Sequence, residues 1–502
     1  MFMVFGSFNP GWTCLDDPPS NGTALMGNAT NISMFTIHKG WNVSGNTDSG
    51  FDCYNMKTCN NISFNKEAST VVTKWALVCE NSWPLPVIIS IQMAGVALGS
   101  YLGGQVGEKL GRKVSIYGSL AIMVVMNVVA VFSVSWEMYA FVLFFTGLAN
   151  GCILSSLIVL VIEFLNTWWR GFIGAFPFWN VATLSFALCV LVLKDWKHVH
   201  LSIAALSLIS FLPVFWVPES MRFLTVHGNI TEANKVVRKI AKWNKKPLPN
   251  TSILNTIAEE EKKIMNKTKQ YTYLDLFRKP VRKTNIILGL TWLILSIGYF
   301  VVGFGIKSLY GDFFVNFLLY SVVSIPMRIV AAVLATKVGR KFTSAFFVCL
   351  TCGCSLSVVV IQLLAPLDIQ GTATAVMALG ASMMTEAGWG VVVVLVVELN
   401  PTSIRNLAYG YCNGLARTGS IIAPFLIPRE TFPMFGAFLL LGLLQLVGFL
   451  GILMLHETKN KPLQDNLLKK PSRINNRPNE VSQSWPDVDT SSRSTLDIVM
   501  RV

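Results

Sequence analysis

Charge is scarce in this sequence. Only 14% of its 502 residues are Asp, Glu, Lys or Arg, and histidine occurs five times; soluble domains carry about 25% charged residues. That shortage excludes a soluble catalytic domain and a disordered regulator. No glycine-rich phosphate loop of the ATPase type is present, nor a His-Glu-x-x-His zinc motif. Nor does any Ser/His/Asp arrangement stand out, so no enzyme, metal or cofactor is expected. What the chain has instead is apolar length. Hydrophobic residues make up 52% and the mean hydropathy is +0.52, which points to lipid as the solvent and to an all-α polytopic membrane protein.

Eleven segments are long and apolar enough to span. The first five are 84–104, 114–135, 138–162, 171–193 and 200–217. Six follow at 285–304, 314–335, 342–364, 373–397, 406–427 and 433–455. The formal charge of +14 would suit a nucleic-acid partner if it were spread over a surface, but it is concentrated. Residues 222–283 hold fifteen Lys/Arg against five Asp/Glu, a topology signal that argues against nucleic acid. The domain reading is 1–83 an outer segment, 84–218 a first helix bundle, 219–284 a basic cytoplasmic loop, 285–455 a second bundle and 456–502 a disordered cytoplasmic tail. Met1–Phe5 is one apolar helical turn, too short for a signal peptide or a span.

The outer segment has its own signature. Residues 6–83 carry four Lys/Arg against six Asp/Glu, four cysteines (Cys14, Cys53, Cys59, Cys79) and five Asn-x-Ser/Thr sequons at Asn21, Asn28, Asn31, Asn42 and Asn61. Together they read as a glycosylated ectodomain with two disulfides, for which three pairings are open. Sequons at Asn229, Asn250 and Asn266 fall in the basic loop and are expected to be unused. The remaining six cysteines lie in apolar spans, and Cys349-x-x-Cys352 reads as packing.

Two turns repeat. Gly104-Gln-Val-Gly-Glu108-Lys109-Leu-Gly111-Arg112-Lys113 matches Thr336-Lys337-Val-Gly339-Arg340-Lys341. Each is followed by a span ending in Glu with Arg seven positions later: Glu163 and Arg170, then Glu398 and Arg405. Arg112 precedes Glu163 by 51 residues and Arg340 precedes Glu398 by 58. Motifs recurring in order at similar spacing mark duplicated halves. Gly111 and Gly339 permit tight turns, and the basic residues beside them can pair with carboxylates at neighbouring helix ends, a gating role beyond topology alone.

These residues carry a resemblance. The Gly-Arg-Lys turn is similar to the signature of the major facilitator superfamily. Pro218-Glu219-Ser220-Met221-Arg222 and His456-Glu457-Thr458-Lys459 resemble that superfamily's elements closing each half. Trp75-Ala-Leu-Val-Cys79, Tyr273-Leu-Asp-Leu-Phe277 and Glu398-Leu-Asn-Pro-Thr-Ser-Ile-Arg405-Asn406 resemble solute carrier family 22, the organic cation, anion and zwitterion transporters. The resemblance covers residues 6 to about 463. It implies two pseudo-symmetric bundles and transport without ATP by alternating access at a plasma membrane. The family pattern has Asp-Arg where this chain has Glu108-Lys109, and an acid where it has Thr336. The family has twelve spans, of which residues 1–10 match the end of the first; an upstream start and a shortened product that does not transport are both open.

Ionisable residues inside spans are costly and default to function. Arg328, Glu386 and Arg417 are three such residues. The position matching Arg417 resembles Asp in the family's cation carriers and Arg in its anion and carnitine-type members; that matching Arg328 is similar to a basic residue in the anion carriers. Two guanidinium groups at a cavity suit carboxylate or sulfate, while Glu386 can pair with an Arg, hold the cationic end of a zwitterion or carry a proton. Trp292, Tyr299, Phe300, Phe176, Phe178 and Trp179 are candidate walls for ring-bearing solutes. The expectation is a carrier of small organic anions or zwitterions. A cation carrier, a sugar porter and a truncated non-transporting protein are the alternatives. Glycines at 95, 99 and 103, and at 410 and 414, read as helix packing. The tail ends Val499-Met500-Arg501-Val502, where a scaffolding domain could add a strand at Val502.

Overall fold

A computed structural model describes residues 2–10, 12–14, 62–164, 177–245, 247, 273–401, 404–427 and 433–459. The sequons from Asn21 to Asn61 and those at Asn250 and Asn266, together with Cys53, Cys59, Arg170, Phe176 and the tail to Val502, lie outside the described residues. Among the rest, Cys79 is disulfide-bonded, and the six span cysteines are free thiols.

The first half begins with a short helix α1 (Phe2–Gly6), strands β1 (Trp12–Cys14) and β2 (Ile62–Phe64), and α2 (Val71–Trp75). The strands pair antiparallel with Trp12 opposite Phe64. Its long helices are α3 (Pro84–Lys109), α4 (Arg112–Val131), α5 (Trp136–Phe164), α6 (Phe178–Leu193) and α7 (Trp196–Phe211). Two smaller helices follow, α8 (Met221–Val226) and α9 (Ile230–Trp243), so the stretch read as a basic loop is partly folded. The second half holds α10 (Lys279–Gly305), α11 (Phe313–Lys337), α12 (Arg340–Leu364), α13 (Leu367–Leu399), α14 (Arg405–Ile422) and α15 (Met434–Leu453).

Among the described residues, nine helices are long and apolar enough to cross a membrane. The other two expected spans appear as helices that miss the criterion for visible reasons. α6 (Phe178–Leu193) has sixteen residues, and 171–176 of the expected span lie outside the described residues; α14 carries Arg405, Asn406, Asn413, Arg417 and four glycine or threonine residues in eighteen positions. Start signals are local. Pro84 opens α3, Asp195 accepts from the Lys197 N–H at 2.8 Å, and Asp312 accepts from the Val315 N–H at 2.9 Å, each satisfying or removing a donor that the first turn leaves orphaned.

α3 and α5 pack backbone to backbone. A Cβ on Gly99 would lie 2.8 Å from Leu148 Cα, and one on Gly103 would lie 2.5 Å from Cys152 Cα. The Cys152 thiol donates to the Gly99 carbonyl at 3.1 Å, and Ser156 Oγ donates to the Gly103 carbonyl at 3.1 Å. Only glycine permits this approach. The pair at 410 and 414 behaves differently: nothing lies within 4 Å of a Cβ at Gly414. That face of α14 looks into open space.

In each half the long helices pack mainly on one another, α3 with α5 and α4 with α7, α12 with α13 and α15, and α10 with α14. Between halves, α14 meets α3 and α11 meets α6. These contacts include Ser90 Oγ donating to the Ile421 carbonyl at 2.8 Å, and Phe186 against Phe317 at 6.1 Å between ring centroids. At the end away from Gly111 and Gly339, the residues after α1 join both halves. Thr70 donates to the Phe8 carbonyl at 2.8 Å, Lys307 donates to the Ser7 carbonyl at 3.2 Å, and the Phe8 ring stacks on Phe313 at 4.4 Å.

Candidate substrate site and gating networks

Three intramembrane charges and their aromatic surroundings come together near the middle of the second half. Arg328 on α11 and Glu386 on α13 form an ion pair of 2.5 Å. Glu386 is buried, and burying a carboxylate is costly unless a cation and hydrogen bonds attend it. From the first half, Asn180 of α6 approaches the same carboxylate. Arg417 is placed differently. It has no carboxylate partner among the described residues, and its Nε is buried without a hydrogen bond. Gly414, one turn before it on the same helix face, has nothing within 4 Å of a Cβ, so open space lies beside that turn.

Aromatic rings connect these charges. Trp292 meets Trp389 at 5.7 Å and Tyr409 at 5.6 Å, and Tyr299 meets Trp389 at 6.2 Å and Tyr320 at 6.0 Å. Tyr409 lies within electrostatic reach of both Arg417 and Arg328. Trp179 of α6 donates its indole N–H to the Tyr299 hydroxyl at 2.7 Å, a direct bond between halves. Phe178, beside it, is more than half exposed, and Phe300 stacks on Phe304. Sequence reasoning named Trp292, Tyr299 and Trp179 but missed Trp389, Tyr409, Tyr320 and Asn180. Trp389 was within reach of the pattern, standing three residues after Glu386 on the same helix face.

At the Lys/Arg-rich end the repeated motifs form one construction twice. In the first half, Glu219 accepts the backbone N–H of Arg112 at 3.1 Å and of Lys113 at 3.1 Å, seating a carboxylate on the N-terminus of α4. The Arg112 side chain turns to Glu163 at 3.4 Å and donates to the Gly107 carbonyl at 3.1 Å, with its guanidinium 5.0 Å from the Phe223 ring. In the second half Glu457 accepts from the Arg340 and Lys341 N–H groups at 3.0 and 3.1 Å. Arg340 meets Glu398 at 3.3 Å, and Thr458 donates to Glu398 at 2.5 Å. A carboxylate on a helix N-terminus satisfies orphan donors and opposes the macrodipole.

Gly111 and Gly339 are required twice over. Their φ angles of 107° and 132° are left-handed, and a Cβ at Gly339 would lie 2.6 Å from Glu457 Oε2. Burial raises the Glu457 carboxyl and its four backbone donors, Lys459, Arg340, Thr458 and Lys341, lower it; the result is a group held below its ordinary 4.5. Glu163 and Glu398 thus stand as expected beside Arg112 and Arg340. Glu219 and Glu457 are the partners that sequence reasoning left without a role. Gly104 has open space around it, and the side chains of Cys14, Glu108 and Arg405 lie outside the described residues.

Comparison with known proteins agrees with this architecture. The sugar (and other) transporter family model matches residues 22–466. The organic cation/carnitine transporter 2 of Homo sapiens is 28% identical over 403 residues, covering 80% of this chain and 71% of that protein. Organic anion transporter 3 of Sus scrofa is 26% identical over 411 residues, covering 80% and 74%. The inward-open xylose transporter XylE from E. coli superposes with a TM-score of 0.59 at 17% identity, over 76% of this chain and 88% of that one; the fold is shared. The chain is therefore a multi-pass membrane transporter and not an enzyme, similar to members of solute carrier family 22: it belongs to the sugar (and other) transporter family of the major facilitator superfamily.

Proposed function

We propose that the protein carries small organic anions, including zwitterions that present a carboxylate, across the plasma membrane by alternating access. The observation that carries this reading is the unequal pairing of the two intramembrane arginines. Glu386 balances Arg328, so the pair is close to neutral, and Arg417 is left as a cation without a carboxylate partner among the described residues. In low dielectric an anionic headgroup offsets that charge, and the guanidinium fork suits the planar oxygens of a carboxylate or sulfate. Trp292, Trp389, Tyr299, Tyr409 and Trp179 supply apolar walls for an organic body. One similar protein is named for organic anions and another for organic cations and carnitine; the names support organic ions as the class, and the unpaired Arg417 supports the anionic choice.

In this reading the two halves are rigid bundles that rock about the midplane. The Lys/Arg-rich end and the C-terminus face the cytosol, and the segment with Asn21–Asn61 lies outside. Gly111, Arg112, Lys113 and Glu163 with Glu219, and Gly339, Arg340, Lys341 and Glu398 with Glu457, hold the cytosolic ends of the bundles. They bias the conformational equilibrium from outside the site.

The test is uptake of labelled anions, zwitterions and cations by cells expressing the full chain. Arg417→Asp should abolish anion uptake, and Arg417→Lys should retain part of it. Transport of a simple cation by the unmodified protein, undiminished by Arg417→Ala, would overturn the anion reading.

A further inference from the structure

α9 divides its surface in two. Ala233, Val236, Val237 and Ala241 are buried, packed with Met221 and Leu224 of α8 and against Phe164 and Phe223. Lys235, Arg238, Lys239 and Lys242 recur at i, i+3, i+4 and i+7 and share the opposite face. Glu232 is the one acid of the helix, bonded to Lys235 at 2.7 Å, which leaves an excess of three positive charges along fourteen residues.

Lys239 fixes where this face lies relative to the bilayer. Its Nζ donates to the Trp216 carbonyl at 2.6 Å and stands 5.1 Å from the Trp243 ring. Trp216 directly follows the apolar stretch Trp196–Phe215, long enough to span. Phe215, Trp216 and Trp243 are 79%, 62% and 61% exposed. The ammonium therefore bonds the main chain where a span ends and lies beside one exposed indole, with Trp216 exposed at the same level, the depth at which tryptophan sits between hydrocarbon and headgroups.

The geometry points to a lipid contact: we propose that the Lys235–Lys242 face of α9, anchored by Trp216 and Trp243, docks on anionic phospholipid headgroups of the adjoining leaflet. Charge complementarity selects the occupant. A basic amphipathic helix held at the membrane surface attracts acidic headgroups, and each basic residue near that surface contributes attraction equivalent to about a fivefold change in occupancy. The contact goes beyond the transport reading and is independent of which solute is carried.

Lysine labelling tests it. The full-length protein is placed in nanodiscs of phosphatidylcholine alone or mixed with phosphatidylserine, and modification by an amine-reactive reagent is followed peptide by peptide. Lys235, Lys239 and Lys242 should be modified about fivefold more slowly with phosphatidylserine, and molar salt should erase the difference. Lys109 and Lys283, exposed at the same end of the molecule, report any general effect of a charged surface. Slowing of the α9 lysines no greater than at Lys109 and Lys283 would overturn the proposal, as would equal protection by soluble glycerophosphoserine. Both leaflets of the nanodisc carry the same lipids, so a wrong membrane orientation leaves the result unchanged and the two readings fail separately.

Discussion

Arg328→Ala leaves the Glu386 carboxylate buried without its guanidinium, and the cost follows from the geometry of the pair. At 2.5 Å, with the carboxylate side chain 6% exposed, water has little access to the abandoned charge. Removing one member of a buried ion pair typically costs about 3–5 kcal/mol, whereas replacing both members with apolar groups of similar volume is close to neutral. Arg328→Ala should therefore lower the folded-to-unfolded ratio by roughly two to four orders of magnitude, and Arg328→Met/Glu386→Leu should recover most of it. Arg417→Ala removes a cation that balances no carboxylate among the described residues, so its stability should stay within about 1 kcal/mol of the parent protein. The assay is thermal unfolding of purified protein in detergent, read as the monodisperse fraction remaining after heating, for all four proteins side by side. If Arg328→Ala is as stable as the parent, or if Arg417→Ala falls as far as Arg328→Ala, the assignment of one paired and one unpaired arginine is wrong.

Glu457→Gln should destabilise the protein by about 1–2 kcal/mol near neutral pH, through loss of charge at the α12 N-terminus. Because the Glu457 carboxyl is held below its ordinary value, its contribution is fully present above that value and is lost as the pH falls through the lowered one. The melting-temperature gap between parent and variant should accordingly close only in acid. Gly99→Val should cost about 2 kcal/mol or more, because the added atoms meet Leu148 backbone, while Gly414→Ala, with open space around it, should leave the melting temperature unchanged.

The sequence pattern carried the duplicated turns a long way. Arg112 with Glu163 and Arg340 with Glu398 were legible because both members of each pair recur at matched spacing. Glu219 and Glu457 were not, since their partners are backbone N–H groups 107 and 117 residues distant, and a backbone donor leaves no residue type to recognise. At the midplane, Arg328, Glu386 and Arg417 stood out as charges in apolar runs. Which arginine the carboxylate chooses depends on how α11, α13 and α14 pack, and no single-helix periodicity contains that. Tyr409 and Asn180 were hidden for a related reason: each gains its role from a neighbour on another helix.

The carboxylates on α4 and α12 also set an order of events during synthesis. Glu219 leaves the ribosome 107 residues after Arg112, and Glu457 leaves 117 residues after Arg340. Until then each helix start keeps bare N–H groups and an unopposed dipole. Each helix start is thus completed only after the spans between have emerged. A chain stopped short of position 219 or 457 leaves the start of α4 or α12 without the carboxylate that satisfies its N–H groups.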